Sequence, residues 1–121
     1  MGLFSAHEID PAEITAKYRP ILLDGETVLT AFRTVRDTVF LTSHRFVLVD
    51  VQGLTGSKVA VQSIPYRSIV RFSVETAGTF DLDADLHIWV SSAAVPISVK
   101  VSRNSDTVAI QRLLAEKVLV R

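Results

Sequence analysis

The feature that most constrains this chain lies between Glu26 and Ser102, where apolar residues recur at every second position in short segments. Val70, Phe72 and Val74 alternate with Arg71, Ser73 and Glu75. Leu86, Ile88 and Val90 alternate with Asp85, His87 and Trp89, and Ile97, Val99 and Val101 with Ser98, Lys100 and Ser102. A period of two belongs to strands with one face buried. Residues 28–36 and 38–42 are rich in β-branched and aromatic types, which also favour strands. Phe46-Val47-Leu48-Val49 is apolar without interruption and predicts a strand covered on both faces. Val59 and Val61 open a further strand that Pro65 ends. The Arg36-Asp37 pair predicts a bend, Gly53 and Gly56 a turn over 52–57, and Ala77-Gly78 the start of a longer turn. Seven strands joined by short connections pair antiparallel, because parallel pairing needs long crossovers. Such a sheet hides its apolar face by closing into a barrel or folding into a sandwich.

Two helical segments flank the strands. At 10–19, Asp10 is placed to cap, Pro11 fits the first helical position and Glu13 completes a capping box. Ile9 and Ile14 sit where a hydrophobic staple needs them, and Ile14 and Tyr18 share a face. Pro20 ends that helix by disfavouring helical geometry at Arg19. At 105–120, Ile110, Leu113, Leu114 and Val118 form a stripe at helical spacing. Asp106 in its first turn and Lys117 in its last match the helix dipole. The expected class is therefore mainly β, or α+β, with one domain over 1–121, strands over about 26–102 and a helix at each end. Its expected core contains Phe46, Leu48, Val70, Phe72, Val74, Leu86, Ile88 and Ile110.

Composition excludes several functions. Thirteen basic and thirteen acidic residues give a formal net charge of 0, so no global field draws the chain to nucleic acid or an anionic bilayer. With no cysteine there is no disulfide, thiolate metal site or Cys nucleophile. The start, Met1 to Ala6, lacks the basic and long apolar regions of a signal peptide, and a cytoplasmic location is expected.

Four stretches resemble the bacterial pleckstrin-homology (PH) domain family, formerly a domain of unknown function. They are Leu41-Thr42-Ser43-His44-Arg45-Phe46-Val47-Leu48-Val49-Asp50, Gln52-Gly53-Leu54-Thr55-Gly56, Ile64-Pro65-Tyr66-Arg67-Ser68-Ile69, and Glu75-Thr76-Ala77-Gly78-Thr79-Phe80-Asp81-Leu82-Asp83-Ala84. The Gly2-Leu3-Phe4 opening is similar too, and the likeness spans essentially the whole chain. It departs at His44, where many relatives carry Lys. The resemblance implies a PH-like seven-stranded antiparallel split barrel capped by a C-terminal helix. It also implies a homo-oligomeric ring, without an established biochemical activity.

Chemistry-bearing groups are few. Asp81, Asp83, Asp85 and His87 recur at every second position, and Asp83, Asp85 and His87 are the candidate ligands for a divalent metal. They are not an EF-hand, since Leu86 and Ser92 stand where that loop needs Gly and Glu. The segment 53–58 is a hairpin turn, because its spacing and Ser-Lys order are not those of a P-loop. His7, His44 and His87 are the only imidazoles, and no Gly-x-Ser-x-Gly elbow is present. No catalytic residue and no cofactor is assigned, and the expectation is a protein that is not an enzyme.

Arg33, Arg36 and Arg45, with His44, fall around the first hairpins and are the candidate anion-binding residues. In lipid-binding PH domains, that end of the barrel holds phosphoinositide head groups. Asp37 beside Arg36 favours a rim of mixed charge instead. Val35, Val39, Leu41, Val47, Val49 and Val51 add apolar surface beyond what a barrel interior holds. The N-terminal helix or a second subunit must cover it. The resulting expectation is a protein-interaction scaffold whose first partner is itself. A second protein, an anionic head group or a divalent metal are the alternatives, and nucleic acid is not expected.

Overall fold

The computed structural model of the chain describes residues 8–34, 37–76, 84–101 and 107–120. The order of elements is α1 (Pro11–Tyr18), β1 (Val28–Arg33), β2 (Thr38–Thr42), β3 (Arg45–Gln52), β4 (Lys58–Pro65), β5 (Ile69–Glu75), β6 (Ala84–Val90), β7 (Ile97–Val101) and α2 (Thr107–Leu119). The seven strands are antiparallel and form two sheets, ordered β1-β2-β3-β4 and β5-β6-β7. The chain divides into two compact units, Met1–Ile64 and Pro65–Arg121.

In the first unit, α1 begins as its sequence dictates. The Asp10 carboxylate accepts the Ala12 N–H at 2.9 Å, and Pro11 follows as the first helical residue. Ile9 and Ile14 are both buried, joined with Val28, Ala31, Phe40, Val47 and Val49 in one apolar cluster. Tyr18 lies against Phe40, with ring centroids 5.1 Å apart. The helix thus covers one face of its own sheet, where the register sets Ala31 opposite Phe40 and Phe40 opposite Val47. Val39, Leu41, Phe46 and Leu48 on the other face are buried as well, so β2 and β3 are covered on both sides. The apolar surplus expected at Val39, Leu41, Val47 and Val49 is therefore inside the molecule, while Val35 lies outside the described residues. The bend after β1 is closed by the Thr34 N–H donating to the Asp37 carbonyl at 2.9 Å. Gly53 (φ 81°) and Gly56 (φ 70°) supply the left-handed conformations that the turn into β4 requires.

In the second unit, Leu86 and Ile88 of β6 are fully enclosed, and Ala84, Val99 and Val101 are buried beside them. α2 packs on β5 and on the short turn Tyr66–Ser68 through Ile110 and Leu114, four residues apart on one face. Residues 105 and 106, including the expected dipole partner Asp106, lie outside the described residues, as do 77–83.

The core expectation needs one correction. Val70 is 65% exposed, whereas Phe72 and Val74 on the same strand are partly buried. The register pairs Ile69 with Val90 but Arg71 with Trp89, so β5 carries one residue more than β6 at this point. Val70 is that extra residue, a β-bulge, and Ile69 takes the inward position in its place. β1 repeats the device: Val28 pairs with Thr42 and Thr30 with Leu41, which leaves Leu29 unpaired and exposed.

Candidate functional site

Two clusters of charged side chains stand out, one in each unit. In the first, the turn at 22–26 delivers Glu26 beneath β1, and β3 begins with Arg45. The Arg45 guanidinium grips the Glu26 carboxylate with both edges, Nε to Oε2 at 2.8 Å and Nη2 to Oε1 at 2.9 Å. Leu23 N–H donates to Oε1 at 3.0 Å, and the Thr42 hydroxyl donates to Oε2. The Glu26 side chain has no exposed surface. Chiefly through the Arg45 hydrogen bonds, and against the opposing effect of burial, its pKa is lowered from 4.5 to about 2. Arg45 is raised in return by the same partner. Its remaining donors reach the Ile21 carbonyl at 2.6 Å and Ser63 Oγ at 2.9 Å. This guanidinium is a clasp among β3, β4 and the turn before β1, and four of its five N–H donors are already committed.

That geometry bears on the expected anion site. β2 separates Arg33 from Arg45: Arg33 pairs with Thr38 at one end, and Arg45 lies beyond the Leu41–Phe46 pair at the other. Five residues of strand put roughly 15 Å between those ends. Arg33 is exposed, Arg36 lies outside the described residues, and the His44 ring bonds its neighbour Ser43 Oγ at 2.7 Å. Asp37, expected to balance Arg36, accepts the Val51 N–H at 3.0 Å and ties the bend to β3. A surface cavity of about 320 Å³ opens beside the turn, between Thr15, Arg19, Leu22 and Asp24, with Glu26 in its wall. The Glu26 oxygens are saturated by the donors named above.

The second cluster occupies the polar face of β5-β6-β7. The register sets Glu75 opposite Asp85, Ser73 opposite His87 and Arg71 opposite Trp89, with Lys100 and Ser98 facing Asp85 and His87 from β7. His87 Nε2 lies 3.0 Å from Glu75 Oε1, and Nδ1 lies 2.8 Å from Ser98 Oγ. Lys100 Nζ donates to Asp85 Oδ1 at 3.0 Å. Arg71 stacks over the Trp89 ring at 4.4 Å, and the His87 and Trp89 rings are 5.9 Å apart.

Of the expected ligands, Asp85 and His87 are brought together and Asp83 lies outside the described residues. Glu75, which the spacing along one strand did not single out, supplies a third donor from the neighbouring strand. One donor atom from each of Glu75, Asp85 and His87 lies within 4.8 Å of the others. Ser98, His87 and Glu75 also form a hydroxyl–imidazole–carboxylate chain, the linkage of an activated nucleophile. Acyl chemistry further requires preorganised donors for an oxyanion. Here the chain of side chains lies within one ladder, in which His87 faces Ser73 on one side and Ser98 on the other.

The fold and the sequence have counterparts. The family model for the bacterial PH domain matches residues 1–118. An uncharacterised Bacillus subtilis protein, YjqA, is 47% identical over 114 residues, 93% of this chain and 91% of that one. A second uncharacterised protein from that organism, YozO, is 26% identical over 96% of both chains. Among solved structures, a DUF1696 family protein with a pleckstrin-homology domain from Shewanella loihica superposes with a TM-score of 0.83 at 39% identity. That match covers 93% of this chain and 96% of the other. The pleckstrin homology domain from Shewanella amazonensis gives 0.78 at 45% identity, over 91% and 99%. With its seven strands in two sheets and its helix at each end, the chain belongs to the bacterial PH-domain family.

Proposed function

We propose that this PH-like domain is a non-catalytic protein that assembles with copies of itself into a ring and serves as a scaffold for protein interaction. The observation that carries the reading is an apolar strip on an open strand edge. The first sheet has two edges, β1 and β4. β1 is partly closed by the segment before α1: Glu8 bridges Phe32, and the Ile9 N–H donates to the Ala31 carbonyl at 3.0 Å. β4 has no strand on its outer side among the described residues. Arg45, Val47 and Val49 lie on the helix-bearing face of β3, and the bond from Arg45 to Ser63 puts the odd-numbered residues of β4 on that same face. There α1 no longer covers them, and Val59 and Val61 are 55% and 45% exposed. Leu54, in the turn leading into β4, is fully exposed.

An open edge bearing apolar side chains is a template for pairing. A second copy is the favoured occupant because a formal net charge of 0 leaves identical chains without long-range repulsion. Ring closure needs this strip to meet a different patch on the neighbour. Light scattering behind size exclusion, at two protein concentrations, tests the reading. The wild-type chain is expected at a fixed multiple of 13.3 kDa. The Val59→Glu/Val61→Glu double variant is expected to keep its circular dichroism and to run as a monomer. A monomeric wild type, or a double variant that still assembles, overturns the proposal.

A further inference from the structure

Independently of assembly, we propose that Glu75, Asp85 and His87 form a binding site for a divalent transition-metal cation. The arrangement of His87 carries the argument. Its Nδ1 is held by Ser98 Oγ at 2.8 Å, and its Nε2 points at Glu75 Oε1 from 3.0 Å. A ring whose Nδ1–H donates to Ser98 presents an Nε2 lone pair to a carboxylate oxygen that also carries lone pairs. In that tautomer a cation between the two atoms reconciles them; in the other, Ser98 O–H donates to Nδ1 and Nε2–H donates to Glu75, and a metal takes the place of that one proton. Two ligands each about 2.1 Å from one metal lie about 3.0–3.4 Å apart at right or tetrahedral angles. The Nε2 to Oε1 separation already has that value.

Asp85 supplies the third ligand. Lys100 occupies its Oδ1, which leaves Oδ2 for the metal. The three donors lie within 4.8 Å of one another, so closing them around one ion takes about an ångström of side-chain adjustment. Glu75 is 71% exposed and free to make that movement, and His87 is 23% exposed. Two carboxylates and a neutral imidazole match a charge of +2. The imidazole selects a transition cation over calcium or magnesium, which prefer all-oxygen shells. Ser98 plays the orienting part that a hydrogen-bonded neighbour plays for metal-bound imidazoles, fixing which nitrogen carries the proton. With three protein ligands on an exposed face, the remaining coordination positions are open to water.

The test is calorimetric titration of the untagged full chain with zinc chloride and, in parallel, manganese and calcium chlorides. The emission of Trp89, the single tryptophan, serves as a second readout beside the site. Wild type is expected to bind one zinc saturably, with a change in emission and no saturable heat from calcium. His87→Gln and Glu75→Gln are each expected to weaken binding at least about tenfold, and Ser98→Ala, which removes only the orienting bond, by about tenfold. His44→Gln is expected to bind as wild type does. If His87→Gln does not fold, the exposed Glu75→Gln carries the test. Absence of saturable zinc heat at about 0.1 mM protein overturns the proposal. So does a folded Glu75→Gln variant that binds zinc as tightly as wild type.

Discussion

The Glu26–Arg45 clasp and the Glu75–His87 pair both join a carboxylate to a nitrogen base across strands, at 2.8 and 3.0 Å, yet they stand at opposite ends of one scale. Glu26 is enclosed and accepts from Arg45, Leu23 and Thr42, so its oxygens have nothing left to offer a ligand. Glu75 is mostly in water and has a single described partner. Buried charge that is fully satisfied holds the fold together and is costly to disturb. Exposed charge with spare coordination contributes little to stability and keeps its chemistry available. The residue types are nearly the same, and environment decides which becomes structure and which becomes site.

The sharpest way to break this comparison is to remove one charged partner from each pair. Arg45→Ala strands the Glu26 carboxylate in the interior and is expected to cost about 3–5 kcal/mol in urea unfolding. Glu75→Gln is expected to stay within about 0.5 kcal/mol of wild type. Equal losses would erase the distinction. Acid titration of stability probes the same contrast. The Glu26 pKa is lowered on folding from 4.5 to about 2, so its contribution is fully present above pH 4.5 and is lost as pH falls toward 2. That loss amounts to about 3 kcal/mol, and Glu26→Gln is expected to flatten this part of the pH profile. Ser63→Ala removes one bond from the clasp but leaves the ion pair, and an effect of about 1 kcal/mol in the same unfolding assay would show how far the network extends. The smallest expected change is at the edge of the exposed cluster. Arg71→Ala gives up a cation–π contact of about 0.5–1 kcal/mol and is expected to shift Trp89 emission measurably.

The succession of strands along the chain was legible because β-branched alternation is a local signal, and so was α1, whose cap and staple lie within six residues of one another. The double burial of β3 could be read from Phe46 to Val49. Val70 was misplaced because a bulge leaves the alternation of letters intact while shifting the register beneath it. The clasp was not visible, since Glu26 and Arg45 are 19 residues apart and meet only when β2 pairs with both β1 and β3. A glutamate directly after the Asp24-Gly25 turn, at the mouth of a strand, was the available hint. The metal candidate was half legible. Asp85 and His87 follow from the period of two along β6, but Glu75 joins them across the ladder. Its place on the polar side of β5, in line with Arg71 and Ser73, was the signal that pointed there.

The two bulges also govern where the chain tolerates a change of length. Within an even ladder, deleting one residue inverts every side chain beyond it, sending Phe72 or Leu86 outward and its polar neighbour in. Leu29 and Val70 are surplus to their partners' count, so deletion at either point restores an uninterrupted ladder with the inward residues still in phase. Insertions and deletions that separate members of this family are therefore expected to gather at these two positions and to be rare one residue to either side.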